Sequence, residues 1–251
     1  MKRLALLLAL ILPTTCWANP SRLWDGGTDN VNVGTAATVD NIWAAGGTVA
    51  FWIKVTAVDA TIRRFANKAA DDMTGGWVLA LSSVDCTTGD DKFEFDVDYA
   101  TTDASWCVGT GPTTGAWVHV AITLDASSAT NDPKIYYNCV QQTIGADKNG
   151  TGAVTDDGAN SLLIGNRASS QNRSADAAIA YFTAWKRVLS IGEVCEVMVN
   201  PMAFPASRVV LTPLWGDATE TDLSGNGNTG AVTGTTATTD GPPVMLSASN
   251  E

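Results

Sequence analysis

The sequence predicts an all-β protein, an antiparallel β-sandwich with one short helix near its C-terminal part, and three observations lead there. Residues 117–124 set Trp117, His119, Ala121 and Thr123 against Val118, Val120, Ile122 and Leu124. This is the period of two that a strand imposes by turning successive side chains to opposite faces. The segments between such runs are rich in Gly, Thr, Asn and Asp, which build tight turns. Only 16% of the residues are charged, a composition that argues against a helical bundle or coiled coil. A chain of 251 residues can bury a sizeable core, and a β-sandwich of this length commonly forms one domain.

Taken in order, residues 22–33 read as a strand start, a Gly-rich turn and a second short alternating piece. Residues 48–55 place Val49, Phe51, Ile53 and Val55 opposite Ala50, Trp52 and Lys54, the pattern of a core strand. Short strands follow at 63–68 and 76–82, the second with Trp77, Leu79 and Leu81 on one face. In 92–99, Phe93, Phe95, Val97 and Tyr99 alternate with Glu94, Asp96 and Asp98, so three acids share a face. After 117–124, the run 126–133 is too rich in Ser, Thr, Asn and Asp to continue a strand. Strand residues return at 134–137, which makes the segment a hairpin. Further strands are expected at 161–166, at 178–185 with Ile179, Tyr181, Thr183 and Trp185 on one side, at 209–215, and in a short Thr-rich piece before Gly241-Pro242-Pro243. The helix falls at 191–199. Ser190 is its N-cap, Glu193 completes a capping box, and Pro201 follows its end.

Residues 1–18 have the form of a secretory signal: Lys2 and Arg3, an apolar stretch over 4–12, and Cys16-Trp17-Ala18 as a cleavage site. The apolar stretch is too short to span a bilayer. The folded domain is then 19–245, with 246–251 as a tail, and the chain is expected to be secreted, in the extracellular space, a periplasm or at a cell surface. Loss of Lys2 and Arg3 leaves it two units more negative than the −11 of the full sequence. Such a surface repels phosphate backbones and anionic lipid, which excludes nucleic acid as a partner. In an oxidising compartment Cys86, Cys107, Cys139 and Cys195 should pair. Four cysteines allow three connectivities. The favoured one joins Cys86 to Cys107, at the outer ends of neighbouring strands, and Cys139 to Cys195, pinning the hairpin turn to the helix. A zinc site is disfavoured, because there is no Cys-x-x-Cys pair and His119 is the only histidine. With no Gly-x-Ser-x-Gly elbow in the chain, His119 reads as structural rather than catalytic.

The run Trp-Val-His-Val-Ala-Ile-Thr-Leu-Asp over 117–125, followed by Lys-Ile-Tyr-Tyr-Asn-Cys-Val over 134–140, closely resembles the central hairpin of laminin G-like domains. These belong to the concanavalin A-like lectin/glucanase jelly rolls. Phe-Trp-Ile-Lys at 51–54, Trp-Asp-Gly-Gly-Thr-Asp-Asn-Val at 24–31 and Leu189-Ser190 with Glu193 match further words of the family, so the resemblance covers roughly 22–243. Cys139 stands where the family has the Gly of an Asn-Gly turn. The resemblance implies that the N- and C-terminal strands lie close together.

Three kinds of site follow. Glucanases of related fold carry paired acids on one strand, because a retaining glycosidase needs two carboxyl groups about 5 Å apart. Glu94, Asp96 and Asp98 resemble that pattern with an Asp in the last place, and the alternative reading of this strand is a solvated outer face. Laminin G-like domains often bind one Ca²⁺ at a sheet rim, which implies Asp25, Asp29, Asn30, Asp222 and Asn226 as candidate oxygen ligands. Lectin-like sites set an aromatic ring under a sugar, and Trp43 and Trp106, in loop-like surroundings, are the candidates for exposed rings. The expected function is a secreted, non-catalytic module that binds carbohydrate or another surface ligand, with or without Ca²⁺. The alternatives are a glycoside hydrolase using Glu94 and Asp98, or a structural or adhesive component of a cell surface or virion.

Overall fold

The computed structural model describes residues 19–59, 61–71, 73–82 and 92–245. The expected signal segment 1–18, the tail 246–251 and Cys86 lie outside them. The strands are β1 (Ser21–Asp25), β2 (Asn30–Gly34), β3 (Gly47–Val55), β4 (Arg63–Lys68), β5 (Trp77–Ser82), β6 (Lys92–Val97), β7 (Ala104–Val108), β8 (Val118–Leu124) and β9 (Lys134–Tyr137). They continue with β10 (Val140–Gln141), β11 (Ile144–Lys148), β12 (Leu162–Ile164), β13 (Asp176–Trp185), then helix α1 (Ile191–Val199), and β14 (Arg208–Thr212), β15 (Thr219–Glu220), β16 (Gly230–Thr233) and β17 (Thr236–Thr238). One sheet of eight strands runs β10-β9-β8-β3-β13-β1-β17, with β14 also on β13. The other, of nine, runs β11-β7-β6-β5-β4-β12-β2-β16-β15. Every ladder between these strands is antiparallel.

The inward faces of both sheets make one apolar interior, in which Phe51, Val120 and Ile179 sit together as their alternation requires. Phe51 and Phe182 from the eight-stranded sheet stack at 6.1 Å. Phe51 reaches across to Phe65 of the other sheet at 6.1 Å, and Phe65 stacks on Phe93 at 6.0 Å. The two chain ends meet as expected, with β1 paired to β13 on one side and β17 on the other. Asn138 and Cys139, at φ 46° and 70°, form the two-residue turn between β9 and β10. Cys139 therefore takes the left-handed conformation that the family's Gly takes for free.

The structure departs from the pattern on β13. Tyr181 has φ 53° and the register with β3 shifts between Ala180 and Thr183, a bulge that resets the alternation. Ile179, Phe182 and Ala184 face the interior, while Tyr181 and Trp185 join clusters on the outer face, so Ile179, Tyr181 and Trp185 do not share a side. Strands β7 and β11 were not legible as periodic runs either. Helix α1 has both arms of its capping box, Ser190 accepting from the Glu193 N–H and Glu193 accepting from the Ser190 N–H. Its Val194 and Val197 pack on Ala50, Ala121, Tyr136 and Trp185 of the eight-stranded sheet.

His119, 1% exposed on β8, lies edge-on to Trp52 with ring centroids 5.4 Å apart. Desolvation holds its pKa down to about 3, against about 6.5 in an unfolded chain. The unfolded state takes a proton that the folded state refuses, so this contribution is complete above the unfolded value and lost as pH falls toward the folded one. Between about pH 6.5 and 4.5, His119 should remove about 2 kcal/mol of stability. His119→Phe, which keeps a ring beside Trp52, is expected to take that much out of the pH dependence in urea melts across the window, leaving what the carboxylates contribute. Parallel slopes in the two proteins would refute the assignment.

Candidate functional site

Helix α1 and the hairpin of β8, β9 and β10 stand side by side, and between them runs a groove of about 1010 Å³. Its apolar lining includes Val140, Val188 and Ile191, which are 63%, 46% and 47% exposed. Three of the six large hydrophobic side chains left exposed among the described residues thus line one groove, and such a concentration marks an interaction surface. Its polar lining includes Asp125, Asn131, Asp132, Lys134, Gln141 and Glu193.

Local chemistry fixes several of these groups. Glu193 is held down to about 2 by its hydrogen bond with Arg187 and by the Ser190 N–H, so it is anionic at any ordinary pH and committed to the helix start. The Asp125 carboxyl is lowered by its bonds from Ser127, and Asn131 Nδ2 donates to the Asp125 carbonyl at 2.8 Å, which shapes the loop after β8. Asp132, Lys134 and Gln141 remain exposed. The Cys139–Cys195 disulfide, with Cα atoms 5.0 Å apart, ties the hairpin turn to α1 and so joins the two walls. This surface offers hydrogen bonds and apolar contact, which suits binding.

The sites expected from sequence are placed elsewhere or not assembled. Trp43 and Trp106 are core residues, 2% and 0% exposed, not surface rings. Trp43 stands edge-on to Trp77 at 5.6 Å and 4.9 Å from Phe95; Trp106 stacks on Phe95 at 5.7 Å. Among the described residues, the indoles that keep accessible surface are Trp215, 36% exposed, and Trp117, half-buried, whose Nε1 donates to Asp240 at 3.2 Å. Trp117 lies opposite the apolar residues of its strand, a place that buried Trp52 also takes on β3, so the pattern did not mark it as accessible; Trp215 carried no signal at all.

Glu94 and Asp96 do lie on the face of β6 turned from Phe93, Phe95 and Val97, but the face is not solvated: Glu94 is 3% exposed and Asp98 8%. Ser105 Oγ donates to Glu94 at 3.4 Å, while Asp98 accepts from Thr155 Oγ1 at 2.7 Å and from the Gly75 N–H. Of the five oxygen donors expected to share a cation, Asp25 and Asp29 do meet, the Asp25 N–H donating to the Asp29 carboxylate at 3.1 Å. Asp29 and Asn30 lie beside the Thr233 end of β16, where Asn30 pairs with Thr233, and Asp222 and Asn226 precede its other end. Both oxygens of Asp222 already accept hydrogen bonds, from the N–H groups of Leu211, Ser224 and Asn228. No group of three or more His, Cys, Asp or Glu among the described residues is placed to hold a metal ion. Cys139 pairs with Cys195 as expected. Cys107 is disulfide-bonded as well, and the partner expected for it, Cys86, lies outside the described residues. No helix among those residues is long and apolar enough to cross a membrane.

A family model described as Laminin_G_3, concanavalin A-like lectin/glucanases superfamily, matches residues 25–195. No curated protein matches the chain. Among solved structures, a protein from Bacteroides ovatus ATCC 8483 named a "putative carbohydrate binding protein" superposes with a TM-score of 0.68 at 16% identity over 90% of this chain. The chain spans 61% of that protein's length. The binding domain of botulinum neurotoxin serotype G superposes with a TM-score of 0.51 at 12% identity, covering 71% of this chain and 42% of its own. At these identities the likeness is one of fold.

Proposed function

Because the chain belongs to the Laminin_G_3 family of the concanavalin A-like lectin/glucanase superfamily, we propose that it is a secreted carbohydrate-binding module whose glycan lies in the groove between α1 and the β8–β10 hairpin. The observation that carries this reading is the groove itself. Sugars present apolar ring faces and a rim of hydroxyls, and here Val140, Val188 and Ile191 lie among carboxylate, amide and ammonium groups that pair with hydroxyls. The volume of about 1010 Å³ lies at the upper end of ligand-binding clefts, suited to several linked sugars rather than one. The Bacteroides ovatus protein's name supports the same class of ligand. The Cys139–Cys195 bridge agrees with an oxidising compartment outside the cytosol. Binding is passive: the eight-stranded sheet carries the hairpin wall, packing on that sheet and the Cys139–Cys195 bridge hold α1 against it, and the recognition lies in their side chains.

A glycan array followed by titration calorimetry tests it. The double variant Asp132→Ala/Gln141→Ala is expected to bind the best array ligand about tenfold more weakly, the loss of one to two hydrogen bonds, with an unchanged melting temperature. Binding that ignores this variant but disappears in Trp215→Ala would move the site, and an array on which nothing binds would sink the reading.

A further inference from the structure

The groove between α1 and the β8–β10 hairpin carries open charge on its hairpin wall, and that charge distinguishes one class of sugar from the others. Thr123 and Lys134 form the last pair of the β8–β9 ladder. Asp125 follows Thr123 by two residues and Asp132 precedes Lys134 by two, so a strand's alternation sends all four to one side of the hairpin. All four do line the groove. Asp132 and Lys134 are exposed and Asp125 is half-buried. Among the described residues neither carboxylate forms an ion pair, with Lys134 or with any other cation. The hydrogen bonds on the Asp125 carboxylate come from Ser127, whose N–H lies at 3.0 Å, and they hold its pKa below the usual carboxylate range.

The opposite wall adds no open charge. Glu193 of α1 is already engaged, by Arg187 at 2.8 Å and by the Ser190 N–H at 2.8 Å. A ligand in the groove therefore meets two unpaired carboxylates and one ammonium, in a chain whose net charge is −11. An acidic polysaccharide is repelled both by this wall and by the surface at large. A neutral one can donate its hydroxyls to Asp125 and Asp132 but brings no charge to meet theirs. An amino sugar brings an ammonium with three N–H donors, and a bond between ammonium and carboxylate is about twice as strong as one between neutral groups. Its ring faces remain free to cover Val140, Val188 and Ile191, the exposed apolar part of the lining.

We propose that the groove selects a cationic amino-sugar polymer, a chain of glucosamine units, through Asp125 and Asp132. This rests on the carbohydrate reading above and adds to it the charge of the sugar. The ammonium of one unit is held by the two carboxylates at the end of the hairpin, and the rings beside it lie over Val140 and Ile191.

Titration calorimetry with two trimers, of glucosamine and of N-acetylglucosamine, decides it, because the two share a backbone and differ in the charge on nitrogen. At about pH 5.5 the amine is protonated and exposed carboxyl groups are ionised. The full chain is expected to bind the glucosamine trimer about tenfold more tightly, and added salt should erode that margin. Asp125→Asn/Asp132→Asn, which keeps an oxygen for the Ser127 N–H, should remove the margin with an unchanged melting temperature. Lys134→Gln, which takes away the one opposing ammonium, should widen it. Equal affinities, no binding of the amine, a margin that survives the double variant, or one that narrows in Lys134→Gln would each overturn the selection. Trilysine bound as tightly as the glucosamine trimer would make the occupant a basic peptide and overturn the choice of a sugar. Array glycans that bind through the groove with no preference for the amine would sink this inference alone, whereas silence from the array and both trimers would sink the carbohydrate reading with it.

Discussion

Replacing Lys68 by methionine is expected to lower folding stability by about 3–5 kcal/mol, the cost of breaking a buried charge pair from one side. The Lys68 side chain is 0% exposed, and its ammonium is ringed by oxygens. These are Asp40 Oδ1 at 2.9 Å, Asp157 Oδ1 at 3.4 Å, and the carbonyls of Asp157 at 3.0 Å and Asn160 at 2.7 Å. Methionine matches the length of the stem but leaves two carboxylates and two carbonyls facing apolar atoms. Asp157 is the vulnerable partner, because burial already pushes its carboxyl up against the lowering influence of the Asn41 N–H and of Lys68. The same carboxylate accepts from the Asn41 N–H at 2.7 Å, and the Asp157 N–H donates back to Asn41 Oδ1 at 3.2 Å. Loss of the ammonium should therefore loosen the segment that carries Trp43. Urea melts of the variant and of Lys68→Met/Asp157→Asn check this. The double variant, with no buried charge left on Asp157, should recover part of the loss, and a single variant as stable as the parent would show the cage to be solvated.

Removing the Cys139–Cys195 disulfide should cost about 4 kcal/mol, the chain entropy returned to the unfolded state by opening a loop of this size. The two cysteines are 56 residues apart in sequence. Helix α1 has nine residues, too few to persist in water without tertiary support. Its buried attachments are Val194 and Val197, so the covalent tie is a large share of what holds it. Cys139→Ser/Cys195→Ser should consequently lose glycan binding at temperatures where the two sheets remain folded, because one wall of the groove leaves before the sandwich melts. Calorimetric melting gives the stability difference, and binding measured through the melt gives the order of events. A variant that binds until the whole sandwich unfolds would show that packing alone keeps α1 in place.

The legible parts of the sequence were those where the two faces of an element differ in chemistry. Phe51, Ile53 and Val55 against Lys54, or Phe93 and Phe95 against Glu94 and Asp96, state their sidedness outright, and the structure follows them. Ser190 and Glu193 announced α1 by the same kind of local rule. Where a residue's environment comes from segments distant in the chain, the pattern gave no warning. Strand β7 has five residues among Thr, Ser and Gly and becomes a strand by pairing with β6 and β11, so Trp106 looked like a loop residue and is in the core. Trp43 lies in a turn that folds inward onto Trp77 and Phe95. At Tyr181 a single residue with positive φ reverses every later side chain on β13, and no residue preference marks a tyrosine for that conformation. The groove draws its walls from residues 123–141 and 188–193, an arrangement that does not follow from spacing.

The position of β1 sets the order in which the molecule can assemble. Arg22 pairs with Ile179 on one side and with Ala237 on the other, so β1 waits for one strand more than 150 residues on and another more than 200 residues on. A ribosome must therefore release the chain through β17 before this layer can seal. Closing loops of such length before any contact rewards them makes the final step slow. During that wait β13 offers an unzipped edge, and refolding yield should fall as protein concentration rises, through pairing with the wrong chain.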